Sequence, residues 1–162
     1  MRVLLSLAAL LLLGSAATAQ AQENRDNYQP RTLSQIIEQH RVIAANGTSG
    51  ISLLFSADVF PSRVKVTYMG DKRAIPASRK EFIAEWAKTR KLDRGTVDLF
   101  EDELLFKEGP TEYWLPVQKQ VVPFFAEELK NGDVVELYLM WIGSRTENGA
   151  TDWVFLVNEF KR

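Results

Sequence analysis

Residues 133–142 and 152–160 are rich in β-branched and aromatic side chains, and each stretch is apolar on both faces. In the first, Val135, Leu137, Leu139 and Trp141 share one face, while Glu136, Tyr138, Met140 and Ile142 share the other. In the second, Trp153, Phe155 and Val157 oppose Val154, Leu156 and Phe160. A sheet with one face in water alternates apolar and polar residues. These strands do not, so both of their faces must be covered, by helices on one side and by the curl of the sheet or a partner on the other. Residues 143–151 between them are polar and read as a long hairpin loop. The class that follows is α+β: an antiparallel sheet of five or six strands packed with two or three helices, with curling into a small barrel left open. The order strand, helix, strand, strand near the C-terminus is compatible with an OB-like barrel, by analogy of fold alone.

The rest of the chain supplies the covering elements. Thr32-Leu33-Ser34-Gln35 has the form of a capping box, and Leu33, Ile36, Ile37 and His40 then recur on one helical face. Asn46-Gly47 ends that helix, since both residues tolerate the left-handed conformation. Strands are expected at residues 51–55 and 63–68, separated by a loop at 56–62 and followed by a turn at Gly70-Asp71. Ser78-Arg79-Lys80-Glu81 predicts a second capped helix, with Phe82, Ile83, Trp86 and Ala87 as its apolar face and Asp93-Arg94-Gly95 as its stop. Residues 96–106 and 112–115 read as strands around a Gly109-Pro110 turn. Pro123 interrupts a helical pattern over residues 117–130, which predicts either a kink or a short helix starting near Val122.

The N-terminal segment carries an address. Arg2 precedes an apolar run over residues 3–13, and Ala17-Thr18-Ala19 and Ala19-Gln20-Ala21 provide small-residue cleavage sites. Residues 1–21 are therefore expected to be a secretory signal peptide, cleaved after Ala19 or Ala21. The apolar run falls short of the roughly 20 residues that span a bilayer. Polar residues 22–31 read as a flexible tether, and residues 32–162 as one globular domain. The chain has no cysteine, so an exported form depends on its core alone. Small secreted eukaryotic domains are often disulfide-rich, which favours the bacterial periplasm.

Composition narrows the chemistry. Without cysteine there is no thiolate metal site and no Cys nucleophile, and one histidine cannot form a multi-His site. That histidine, His40, sits on a packing face, and no G-x-S-x-G elbow positions a serine. Phosphate- and dinucleotide-binding glycine patterns are absent, so no cofactor and no metal are expected. A net charge of −1 argues against nucleic acid. Charge is nonetheless uneven: residues 71–94 carry +4 and residues 98–112 carry −5. The basic stretch could steer an anionic envelope component. The acid groups Glu101-Asp102-Glu103, Glu127-Glu128, Asp133 with Glu136, and Asp152 with Glu159 are the candidates for a two-carboxylate mechanism.

These observations point to an exported, non-enzymatic binding or protein-interaction module of the cell envelope. Its expected contact residues are Tyr113 and Trp114, beside the Gly109-Pro110 turn, with Arg145, Glu147 and Asn148 in the hairpin loop. Two alternatives stand beside it: a small hydrolase using paired carboxylates on an envelope polysaccharide, and a carrier of an apolar ligand.

Overall fold

In the computed structural model, which describes residues 25–44 and 50–162, the chain is α+β. Residues 1–21 and the Asn46-Gly47 stop lie outside the described residues. Among the described residues there are six strands and three α-helices. In chain order these are β1 (Gln29–Pro30), α1 (Leu33–Ala44), β2 (Ile51–Ala74), α2 (Ala77–Thr89), β3 (Phe100–Glu108), β4 (Thr111–Gln118), α3 (Val122–Glu128), β5 (Val134–Glu147) and β6 (Ala150–Lys161). A 3-10 turn, Arg94–Leu99, precedes β3.

The sheet closes on itself. β2 pairs with β5 over residues 51–67 and with β3 over residues 67–74, so the order β2-β3-β4-β6-β5 returns to β2. The sheet is mixed rather than antiparallel throughout. β4 runs parallel to β6 at Val117–Val157, and β1 runs parallel to β2 at Ser62–Arg63. The crossover through α3 causes the first exception, because β6 returns beside β4 in the same direction.

β2 is one strand of 24 residues where the sequence suggested two strands and a loop. The register shift between Phe55 and Phe60 absorbs the irregular Asp58-Val59 stretch and leaves Pro61 just beyond the bulge, where a missing N–H is tolerated. Gly70 is likewise not a chain reversal. Its φ of 82° lies within a second shift, between Tyr68 and Lys72, that bends the strand into β3. The strand expected from residue 96 begins only at Phe100, because the Asp93 carboxylate accepts from the Gly95 N–H at 2.7 Å and starts the 3-10 turn.

Two cores form on opposite sides of β5 and β6, as the doubly apolar pattern required. Inside the barrel, Val135, Leu137, Leu139 and Trp141 meet Val64, Val66, Leu104, Phe106, Phe155 and Val157, with Leu33, Ile36 and Ile37 of α1 and Phe125 of α3 added at its rims. Outside, Ile142, Val154 and Leu156 meet Phe82, Ile83, Trp86 and Ala87 of α2. Phe160 packs with the inner cluster, contrary to strict alternation. A bulge opposite Tyr138–Leu139 shifts the parity of β6 between Val157 and Glu159.

Capping separates the first two helices. At α1 the Thr32 N–H donates to Gln35 Oε1 and the Gln35 N–H to Thr32 Oγ1, both at 3.0 Å, so the expected box is formed. Glu108 adds a second clamp, accepting from the Leu33 N–H at 2.7 Å and the Ser34 N–H at 3.0 Å. At α2 the expected box does not form. Pro76 occupies the N-cap, no side chain caps the helix, and Ser78 falls inside the first turn. α3 is the shorter of the two alternatives, with Pro123 in its first turn.

The stretch read as a tether lies along the barrel from Arg25 onward. Arg25 pairs with Glu159, and the Tyr28 ring meets Tyr138 edge-on at 5.3 Å.

Tyr68 is buried between Phe106 and Phe125 in the inner core. Burial, helped by the Asp71 charge, raises its phenol above the ordinary value of 10.0. The stability this carries is complete below pH 10 and drains as pH rises through the higher folded-state value. Urea midpoints measured from pH 8 to 11 should therefore fall on the alkaline side, and Tyr68→Phe should flatten that fall. An unchanged alkaline limb in the variant would remove Tyr68 from the account.

Candidate functional site

The outer face of the β3–β4 hairpin carries Glu103, Leu105, Trp114 and Pro116, with Leu105 opposite Trp114 and Glu103 opposite Pro116. Glu103 is fully buried. A buried carboxylate needs charged or hydrogen-bonding partners, and this one has two. Arg73 of β2 donates through Nε to Oε1 at 2.5 Å, and Arg79 of α2 donates through Nη1 to Oε2. The same Arg79 forks onto Asp152 of β6, with Nε and Nη2 donating at 3.0 and 2.6 Å. Its Nη1 also donates to the Trp114 carbonyl at 2.9 Å. Burial pulls the Arg79 pKa down, but the hydrogen bonds and charges of Asp152 and Glu103 outweigh it, so the guanidinium is held above its ordinary value and stays charged. Above the network, the Arg73 guanidinium lies 4.1 Å from the centre of the Trp114 ring. Trp114 is partly exposed and gripped at both backbone and ring.

The hairpin tip continues this face. The nine-residue polar loop expected at 143–151 does not exist: β5 runs to Glu147, β6 starts at Ala150, and Asn148-Gly149 alone makes the turn. Both turn residues have positive φ, 50° and 80°, as a two-residue hairpin turn of the primed type requires. Arg145 and Glu147 are therefore strand residues, and they form an ion pair at 2.5 Å. Arg145 stands opposite Asp152, the residue Arg79 holds. Glu147, Asn148 and Thr151 help line a shallow hollow of about 490 Å³ beside them.

Four of the five expected contact residues thus share one surface, from Trp114 through Arg79 and Asp152 to Arg145, Glu147 and Asn148. Tyr113 is separated from it. It stands opposite Phe106 and packs against the inner core, because adjacent strand positions face opposite sides. The residues that tie the surface together, Arg73, Arg79, Glu103 and Asp152, join four different elements.

Apart from Glu127 and Glu128, exposed on α3, the candidate catalytic groups have other partners. His40 is buried, its ring 3.9 Å from that of Trp141. Its Nδ1 donates to the Ile36 carbonyl at 2.8 Å, the packing role its position on the helix face implied. Glu101 pairs with Lys119, Asp102 with Lys72, and Glu159 with Arg25. Asp133 accepts from the Lys130 N–H, and Glu136 from the Tyr138 hydroxyl. Among the described residues, no group of three or more His, Asp or Glu side chains could hold a metal ion, and no helix is long and apolar enough to cross a membrane.

No protein-family model, curated protein or solved structure matches the chain.

Proposed function

We propose that the chain is an exported, non-enzymatic binding module of the cell envelope, with a contact surface running from Trp114 to the Arg145–Glu147–Asn148 tip. The supporting observation is the clamping of Trp114: a partly exposed residue whose backbone carbonyl accepts from Arg79 and whose ring lies against the Arg73 guanidinium. A preordered aromatic loses little freedom on binding, and rigid aromatic and arginine side chains are the common anchors of interfaces. Fold analogy agrees. In OB-like barrels the face of the second and third barrel strands is a common ligand surface, and here those strands are β3 and β4. The net charge of −1 speaks for a protein partner over nucleic acid. The signal-like residues 1–21 support export.

Neither alternative gains a comparable observation. Phe106, Phe155, Leu104, Leu115 and Leu137 fill the barrel interior, each below 2% exposure, where a carrier would hold its ligand, and Phe125 closes the rim. Of the carboxylates a hydrolase would need, Glu127 and Glu128 are exposed neighbours on α3, and the others are engaged as described above.

The test is photo-crosslinking in intact cells, with the reactive group at position 114 or 147 of the full chain. A discrete envelope macromolecule should be captured from either position, and less of it from position 147 when Arg73→Ala frees the Trp114 ring. Absence of any adduct from both positions, or capture of cytoplasmic material alone, would reject the reading.

A further inference from the structure

The contact surface ends at an unusual strand edge. From Ile51 to Phe55, β2 pairs with β5 along one side only. Its other side takes up β1 at Ser62–Arg63 and β3 from Thr67 onward, and among the described residues no strand pairs with it before Ser62. Natural sheets protect such edges with charge, proline or a covering element, because unpaired N–H and C=O groups invite another strand. Here the edge is apolar instead. Ile51 and Leu53 are 59% and 44% exposed, among the most exposed large apolar side chains described. Both lie on the outer face, opposite Glu147 and Arg145 respectively. They continue outward the row begun by Phe55, whose ring meets Phe82 of α2 at 5.0 Å.

A groove of about 230 Å³ runs between this row and α2, and Glu81, Phe82 and Glu85 line its far side. Its one guanidinium, Arg145, is already held by Glu147. Lys88 approaches Glu85 only at 3.7 Å, with both side chains more than half exposed. The groove is therefore apolar at its floor and anionic at its rim.

We propose that the Ile51–Phe55 edge of β2 accepts an extended segment of a partner protein as an added strand, and that this segment alternates apolar with basic side chains. Main-chain hydrogen bonds to the open edge would supply affinity, and alternate side chains would supply specificity. The basic ones share the outer face with Ile51 and Leu53, where their aliphatic stems cover those side chains and their charged ends reach Glu81 and Glu85, while the apolar ones fall on the inner face beside Leu54. A second copy of this chain would bring the same carboxylates to the junction, so the charge favours a basic partner over self-pairing. The inference rests on the binding-module reading and names the kind of partner that surface takes.

A synthetic lysine–valine alternating hexapeptide serves as the probe, with a glutamate–valine hexapeptide as control. The lysine peptide should bind the protein with a Kd below about 1 mM, more weakly as salt is raised, and the glutamate peptide should not. Hydrogen exchange should slow at amides within residues 51–55 when the lysine peptide binds. Leu53→Lys should weaken binding at least about tenfold. Glu81→Gln with Glu85→Gln should remove most of the salt dependence. All three substitutions are at surface positions, and unchanged urea midpoints would show that the two variants fold. No added protection at residues 51–55, or full binding by Leu53→Lys, would overturn strand addition. So would a dimer that protects the same amides without peptide. If the crosslinks from positions 114 and 147 still capture a partner in that event, the binding-module reading survives and only the strand mode is lost.

Discussion

Gly143→Ala should be among the most damaging single-methyl additions in this chain, costing about 4 kcal/mol of stability. Gly143 sits at the bulge where β5 changes register against both of its neighbours, with φ at 141°. A Cβ there would lie 2.0 Å from the Leu54 carbonyl oxygen and 2.9 Å from Cζ of Phe82. The first obstacle is backbone of the paired strand β2, which cannot retreat without breaking the β2–β5 ladder. The second is a buried ring that links α2 to the sheet. Backbone strain of about 1–3 kcal/mol and overpacking of similar size then combine against a total stability of about 5–15 kcal/mol. Gly149→Ala is the matched control. Gly149 also has positive φ, at 80°, but its Cβ would meet nothing within 4 Å, so only the backbone term remains, about 1 kcal/mol. Urea unfolding followed by tryptophan fluorescence gives both values. Equal losses in the two variants would show that the close approach of β2 to β5 is wrong.

The same bulge shows what the sequence could and could not reveal. Period-two alternation in 133–142 marked both faces of β5 and anticipated two cores, because side-chain parity is a local property. A bulge breaks parity by inserting one residue, and it leaves no separate signature in the pattern. For that reason strict alternation places Phe160 on the outer face, although the bulge opposite Tyr138–Leu139 turns it inward, and the Phe55–Phe60 bulge reads in the sequence as a loop dividing β2. The hairpin tip departs from its pattern for another reason. Polar residues 143–147 suggested a loop, although Asn148-Gly149 is the strongest short signal for a two-residue turn. Arg145 and Glu147 can be polar within a strand because their face opens to solvent at the tip.

Helix starts were legible where the cap is local and not where it is preempted. Thr32 and Gln35 satisfy each other within one turn. The similar pattern at Ser78 lost to Pro76, which already stood at the cap with extended backbone. The clamp around Trp114 was beyond sequence reasoning of any kind. Its partners are separated by 24 residues between Arg79 and Glu103 and by 73 between Arg79 and Asp152, and only the closed barrel brings them together. The aromatic itself stands out by its place beside a turn, but nothing along the chain shows that an arginine from α2 holds it.

That arginine carries the second large expected effect. Arg79→Met should cost about 3–5 kcal/mol, because it strands a fully buried carboxylate. The variant leaves Glu103 with Arg73 alone, and the Arg73 side chain is 45% exposed and a weaker counter-charge. It also releases Asp152 and the Trp114 carbonyl. Glu103→Gln should be milder, about 1–2 kcal/mol, since Arg79 keeps its fork on Asp152 and the amide oxygen can still accept. Replacing the pair together, with Arg79→Met and Glu103→Leu, should recover most of the loss, as apolar packing often equals a buried ion pair. Because Arg79 is only 12% exposed, added salt should barely change these differences. Crosslinking from position 147 separates stability from function: in the folded double variant it should fall, because Trp114 loses its backbone anchor although the core is restored. Crosslinking equal to that of the unmodified chain would show that Arg79 supports the fold without organising the contact surface.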